Sequence, residues 1–177
     1  MEITIKLNGK TVSLIRNHAM ISIENPENQY VKITGFAAVN TNAFGTVAPY
    51  CAEHGWEAPS YKEKRIFVTI PHNEAKLSDI NGVRTIASEP HQYVFESENT
   101  MDDPVSVILR GISGGTAKYY RVMLMDENGE FIPIMRNHSY IINIAGELSF
   151  GQDTFDDALN APATNNVWVS ISDDIKT

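Results

Sequence analysis

The chain has 177 residues, 42% of them hydrophobic and 20% charged, and a single cysteine. That length buries a real core in one large domain or two small ones, and the composition excludes collagen, coiled coil and wholesale disorder. Fourteen Lys and Arg against twenty-two Asp and Glu give a net charge of −8 with the basic residues scattered, which argues against a nucleic-acid partner. No apolar run approaches the roughly 20 residues that cross a bilayer, and one cysteine excludes an internal disulfide and a structural zinc site.

The start, Met1-Glu2-Ile3-Thr4-Ile5-Lys6, alternates like a strand and lacks the basic stretch and apolar core of a signal peptide. The chain is therefore expected to be either cytosolic or cut from a longer one. Ile3 to Leu7 alternates, Asn8-Gly9 supplies the residues of a tight turn, and Val12 to Ile15 begins the return, which predicts a hairpin. Further strands are expected over 19–23, 30–40, 65–70, 93–96, 105–110, 118–125, 131–135, 139–144 and 167–172. Turn formers separate them: Glu24 to Asn28, Ile112 to Gly115 and Asp126 to Gly129. One short helix is expected over 154–160, with Thr154 as its cap and Pro162 beyond its end. Many short strands with almost no helix predict an all-β chain of packed antiparallel sheets.

Sliding the chain against itself by 120 residues lays Asn8-Gly9 on Asn128-Gly129, Arg16-Asn17-His18 on Arg136-Asn137-His138, and Ile21 on Ile141. In each copy a hairpin leads into Arg-Asn-His and then into another strand. The repeat predicts one supersecondary unit in two related β-sandwich domains, 1–88 and 89–177, with the boundary near residues 85–92 and the first domain short at its N-terminal side. Arginine brings five fixed donors, asparagine tolerates left-handed backbone, and histidine brings one donor and one acceptor. Arg16, Asn17, His18, Arg136, Asn137 and His138 are thus expected to satisfy backbone groups where the chain turns a corner between sheets.

Catalytic chemistry is weakly signalled. Cys51-Ala52-Glu53-His54 sets a thiol, an acid and an imidazole close together, but no oxyanion donors accompany them. The five histidines show no zinc-ligand spacing, and neither Asp102-Asp103 nor Asp153 to Asp157 follows a calcium loop, so no catalytic residue, metal or cofactor is assigned. Gly111 to Gly115 lacks the Lys and helix of a phosphate loop and is expected to be a turn. Tyr50, Trp56 and Tyr61 cluster in one expected loop and are the candidates for stacking on a sugar, whereas Trp168 sits in the last strand.

The stretch Phe131 to Ile144, the acidic 154–159 segment and Asn165-Asn166-Val167-Trp168-Val169 resemble the C-terminal domain of Bacteroidales fimbrillins, the subunits of type V pili. Tyr93 to Asn99, Val107 to Gly111 and Tyr119 to Val122 fit the same pattern, and residues 12–48 are similar to the later part of that family's N-terminal domain. The resemblance implies two transthyretin-like (Greek-key, immunoglobulin-like) sandwiches, and this chain departs from it in that its first domain starts late, where a removed or absent leading strand would leave an opening beside residues 3–23. It also implies export as a lipoprotein and a place on the cell surface or outer membrane. The partners it implies are other fimbrial subunits joined by strand addition, and host or bacterial glycans or proteins. The chain departs as well in the missing signal peptide and lipidated cysteine, since Cys51 is mid-chain, and its C-terminus shows no obvious long donor strand. The expected function is that of a non-enzymatic fimbrial or accessory subunit, and the alternative is a carbohydrate-binding adhesin.

The corner role predicts that Arg136→Ala lowers the melting temperature far more than Glu127→Ala, an exposed turn change. Equal melting temperatures would remove that role.

Overall fold

The computed structural model describes residues 3–7, 9–14, 16, 18–42, 77–80, 83–86 and 91–172. Its strands are β1 (Ile3–Leu7), β2 (Lys10–Leu14), β3 (Ala19–Ile23), β4 (Lys32–Val39), β5 (Leu77–Ile80), β6 (Val83–Ile86), β7 (His91–Val94), β8 (Ser106–Ser113), β9 (Thr116–Met123), β10 (Ser139–Ile144) and β11 (Val167–Ser172). Among the described residues one short helix, α1 (Phe155–Asn160), lies between β10 and β11. One sheet runs β11-β10-β3-β7 and a second runs β4-β8-β9, while β1–β2 and β5–β6 form separate two-stranded ribbons. The all-β expectation holds for the described residues.

The tight turns follow their residues. Leu7 pairs with Lys10 across the Asn8-Gly9 position, and Gly9 has φ 78°. Ser113 pairs with Thr116 across Gly114 and Gly115, at φ 58° and 83°, the two left-handed positions that a two-residue hairpin turn requires. Ile80 pairs with Val83 across the Asn81-Gly82 position. Thr154 caps α1, its hydroxyl accepting the Asp157 N–H at 3.1 Å. The strand expected over 65–70 lies outside the described residues, and residues 131–135 make single bridges from Phe131 and Ile134 rather than a continuous strand.

The two sheets face each other over one apolar core. β3 contributes Ala19 and Ile21, β4 contributes Phe36 and Ala38, β8 contributes Val107 and Leu109, β9 contributes Tyr120 and Val122, and β10 contributes Tyr140 and Ile142. Each pair is spaced by two residues, the period of a strand with one face inward. The β4-β8-β9 sheet is covered on its other face as well, where Ala37, Ile108 and Tyr119 pack under Phe155 and Ala158 of α1. This double cover explains the unbroken buried run from Ser106 to Leu109 in β8. The ladder between β4 and β8 shifts register between Ile33 and Gly35, and the Thr34 hydroxyl there donates to Arg110 O at 3.2 Å while accepting from Arg110 Nη1 at 2.6 Å.

Both sheets run across the boundary expected near residues 85–92. β3 lies between β7 and β10, and β4 pairs with β8, so strands from 1–88 and from 89–177 share one core among the described residues. Among the described residues, β3 and β4 each find their hydrogen-bonding partners in later sequence.

One side chain joins the two sheets at their edges. Gln92 of β7 is 1% exposed, its Oε1 accepts the Ala38 N–H at 2.9 Å, and its Nε2 donates to Phe36 O at 2.5 Å. The amide thus pairs with β4 much as a strand residue would. Gln92→Leu keeps the volume and strands both β4 groups, so it should lower stability by about 1–3 kcal/mol in urea titration. An unchanged midpoint would show that β4 needs no such clasp.

Candidate functional site

The repeated tripeptides lie side by side. β3 and β10 pair in parallel with Met20 level with Ser139 and Ile21 level with Tyr140. Just before the strands, the Asn137 N–H donates to His18 O at 2.9 Å, and the Met20 N–H donates to His138 O at 3.0 Å. The two copies therefore bond to each other inside one sheet. The pairing is offset by one residue from the sequence repeat, and one residue reverses the face of a strand. Ile21 is buried, but the residue aligned with it by sequence, Ile141, sits on the outer face, while Tyr140 and Ile142 point into the core.

The second copy is anchored by several contacts among the described residues. Asn137 is left-handed at φ 64°, and His138 Nδ1 lies 2.8 Å from Arg136 O. Arg136 is 6% exposed, with Nε 3.3 Å from Glu96 Oε1, and its backbone N–H donates to the same oxygen at 3.3 Å. Both side chains of that ion pair are nearly out of water, and truncating one member of such a pair costs about 3–5 kcal/mol because the other charge stays buried. Tyr140 Oη donates to Pro133 O at 2.8 Å and accepts the Met135 N–H at 2.7 Å. In the first copy, Arg16 is half-buried and Asn17 lies outside the described residues. His18 packs edge-on against Tyr93 and Phe95, with ring centroids 5.5 and 5.9 Å away. Tyr50, Trp56 and Tyr61, the candidate sugar-facing aromatics, and Cys51 with His54 also lie outside the described residues.

The turn that leads into the second copy is built on Asp126. Its Oδ1 accepts the N–H of Asn128 at 2.8 Å and of Glu130 at 2.9 Å, and Gly129 N–H donates to Asp126 O at 3.1 Å. The Glu130 N–H is the main reason the Asp126 carboxyl is held below its ordinary range.

A different site emerges from the backbone. Successive strand residues turn their N–H and C=O to opposite sides. The Met20 N–H reaches His138 O and the Glu24 N–H reaches Ile142 O, so Met20 and Ser22 face β10 and Ala19 and Ile21 face β7. Gln92 and Val94 complete that ladder, which turns the main-chain groups of His91 and Tyr93 outward, where they meet no partner among the described residues. The other edges are met by the chain itself. Tyr119 exchanges both bonds with Gln152 and the Thr164 N–H reaches Arg121 O along β9, while the Ile33 N–H of β4 reaches Pro26 O. On β11 the central Val169 N–H is taken by Met125 O at 2.8 Å. Among the described residues β7 is the sandwich edge whose outward main-chain groups meet no such bond, and it pairs directly with β3, within the residues 3–23 beside which an opening is expected from the sequence.

Tyr93 marks that edge. The residue is 46% exposed, and its ring stands between two imidazoles, His18 at 5.5 Å and His91 at 5.4 Å, each edge-on to it. Among the described residues no group of three or more His, Cys, Asp or Glu gathers to hold a metal ion, and no helix is long and apolar enough to cross a membrane. The signal for an open edge is not a residue motif, and only the pairing of β3 with β10 exposes it.

No protein-family model matches the chain, and no curated protein matches it. Solved structures do. One is a "putative cell adhesion protein" from Bacteroides eggerthii, 17% identical, with TM-score 0.41, covering 94% of this chain and 60% of its own. Another of the same description, from Parabacteroides distasonis, is 13% identical, with TM-score 0.41, covering 89% of this chain and 51% of its own. The chain therefore spans less than two thirds of the length of either.

A lowered folded-state pKa means that Asp126 stabilises the fold above its unfolded pKa, near 3.8, and that this contribution disappears as pH falls through the still lower folded value. Asp126→Asn should accordingly lower the melting temperature at neutral pH, with the two proteins converging in acid below the folded titration. A difference that persists unchanged there would show that the charge plays no part.

Proposed function

We propose that this chain is a non-enzymatic, exported cell-surface subunit of fimbrillin type, which joins its neighbours by accepting a strand along β7 and supports adhesion through the assembly so formed. The observation that carries this reading is the outward main chain of His91 and Tyr93, which meets no partner among the described residues, whereas the other sandwich edges are covered wholly or at their centre. An exposed edge is a template for pairing with another chain, and proteins that do not use one commonly blunt it with charge, proline or a bulge. β7 bears no Lys, Arg, Asp or Glu, and its pairing with β3 is regular. Main-chain bonds along such an edge give affinity, and the alternate side chains give register. The sheet also accommodates a remote strand already, since β3 is held on both sides by segments far away in sequence. Adhesion is the role named for the two similar structures, and for this chain it is part of the proposal.

Tyr93→Pro tests it, because proline removes one outward N–H and breaks no internal ladder bond. In the producing bacterium the wild-type chain should appear in high-mass surface material, Tyr93→Pro should remain as folded single subunits, and Tyr93→Ala, which keeps the N–H, should assemble. Equal incorporation of Tyr93→Pro, or a wild-type chain absent from the surface, would refute strand addition at β7.

A further inference from the structure

We infer that the outer face of the β11-β10-β3-β7 sheet binds an uncharged glycan, with Tyr93 as the ring on which a sugar stacks. Alternation along the strands sets this face opposite the core. One row across it is Ser172, Ser139, Met20 and Tyr93, and the next is Ser170, Ile141, Ser22 and His91. Asn143 and Trp168 extend it at one end. The β4-β8-β9 sheet has α1 packed on its outer face, whereas among the described residues no second apolar cluster forms over this one.

None of these positions is Asp, Glu, Lys or Arg, in a chain of which 20% is charged. The hydroxyls of Ser22, Ser139, Ser172 and Tyr93 and the indole N–H of Trp168 meet no hydrogen-bond partner among the described residues. Asn143 Nδ2 donates to Ile141 O at 3.0 Å and to the Ser170 hydroxyl at 3.1 Å, so the amide is fixed while its Oδ1 is left to accept. Tyr93 is held as well. Its ring stands at 75° and 74° to the imidazoles of His18 and His91, and an anchor ordered in advance loses little entropy on binding.

Neutral hydroxyls and amides set among aromatic and aliphatic side chains are complementary to a sugar, whose hydroxyls need donors and acceptors and whose C–H faces lie against flat rings. Charge selects the class. An anionic glycan or a nucleic acid would meet no cation on this face and a chain of net charge −8 behind it. A protein partner is disfavoured by the serines, which the cores of protein interfaces deplete. The inference goes beyond strand addition, which uses main-chain groups in the plane of the sheet, whereas these side chains rise from it.

The test is native electrophoresis of the purified full chain through gels containing dextran, mannan, galactomannan or xyloglucan, with polygalacturonate and heparin as the anionic controls. At least one neutral polymer should retard the wild type, and neither anionic one should. Tyr93→Ala should weaken that affinity about tenfold, the loss of one stacking contact. Tyr93→Phe, which keeps the ring, should keep most of it, and Phe150→Ala, at a 55% exposed ring outside this sheet, should change nothing. Retardation lost in Tyr93→Ala supports the inference even if Tyr93→Pro assembles like the wild type, so the two readings fail separately. Migration unaffected by every neutral polymer, retardation by the anionic ones, or retardation that survives Tyr93→Ala or disappears in Phe150→Ala would overturn it. So would a dimer in sedimentation velocity that Tyr93→Ala dissociates, since a second copy would then cover the face.

Discussion

The arrangement turns on the main-chain ladders that hold β3 on both sides. On one side it pairs in parallel with β10, and on the other it pairs antiparallel with β7. Those bonds bring Ala19 and Ile21 into the core with Tyr140, Ile142 and Val94, and they fix which main-chain groups of β7 point outward. Without β3 the sheet would divide between β10 and β7, and Gln92 would no longer be held where it reaches β4. A strand of five residues therefore decides both the closure of the core and the location of the open edge.

Much of the fold was legible because its elements obey local rules. The bounds of β3, β10 and β11 follow from alternation and flanking turns, the Asn-Gly pair marks the β1–β2 hairpin, and Thr154 marks the start of α1. β5 and β6 carry the same signal, a strand-like run on each side of Asn81-Gly82, and were missed because Leu77 to Ile80 and Val83 to Ile86 are too short to stand out by period. Pairing between distant strands follows no such rule. The 120-residue repeat suggested two equivalent domains, yet its copies lie in one sheet and are displaced by a residue, so that Ile21 and Ile141 face opposite ways. A shared tripeptide reports similar entry into a strand and carries no information about which sheet the strand will join.

The candidate site was less legible still. Arg136 and His138 could be singled out because they recur, and the buried Glu96 partner of Arg136 could not, since forty residues separate them. The β7 edge is defined by what its backbone does not bond, and a sequence contains no mark for that. Tyr93 stood out only as part of a strand, and its position between His18 and His91 depends on two segments that meet through β3.

The route by which such a sheet forms is constrained by its long-range pairs. Met20 lies opposite both Tyr93 and Ser139, so β3 leaves the ribosome well before either neighbour exists. Until β7 and β10 follow, its apolar residues have nowhere to be buried, and closing such large loops is slow compared with forming local hairpins. A chain of this topology spends an extended interval with unpaired strands before it closes. That delay leaves strand edges and apolar residues exposed during synthesis, the condition under which slow-closing chains are prone to aggregate.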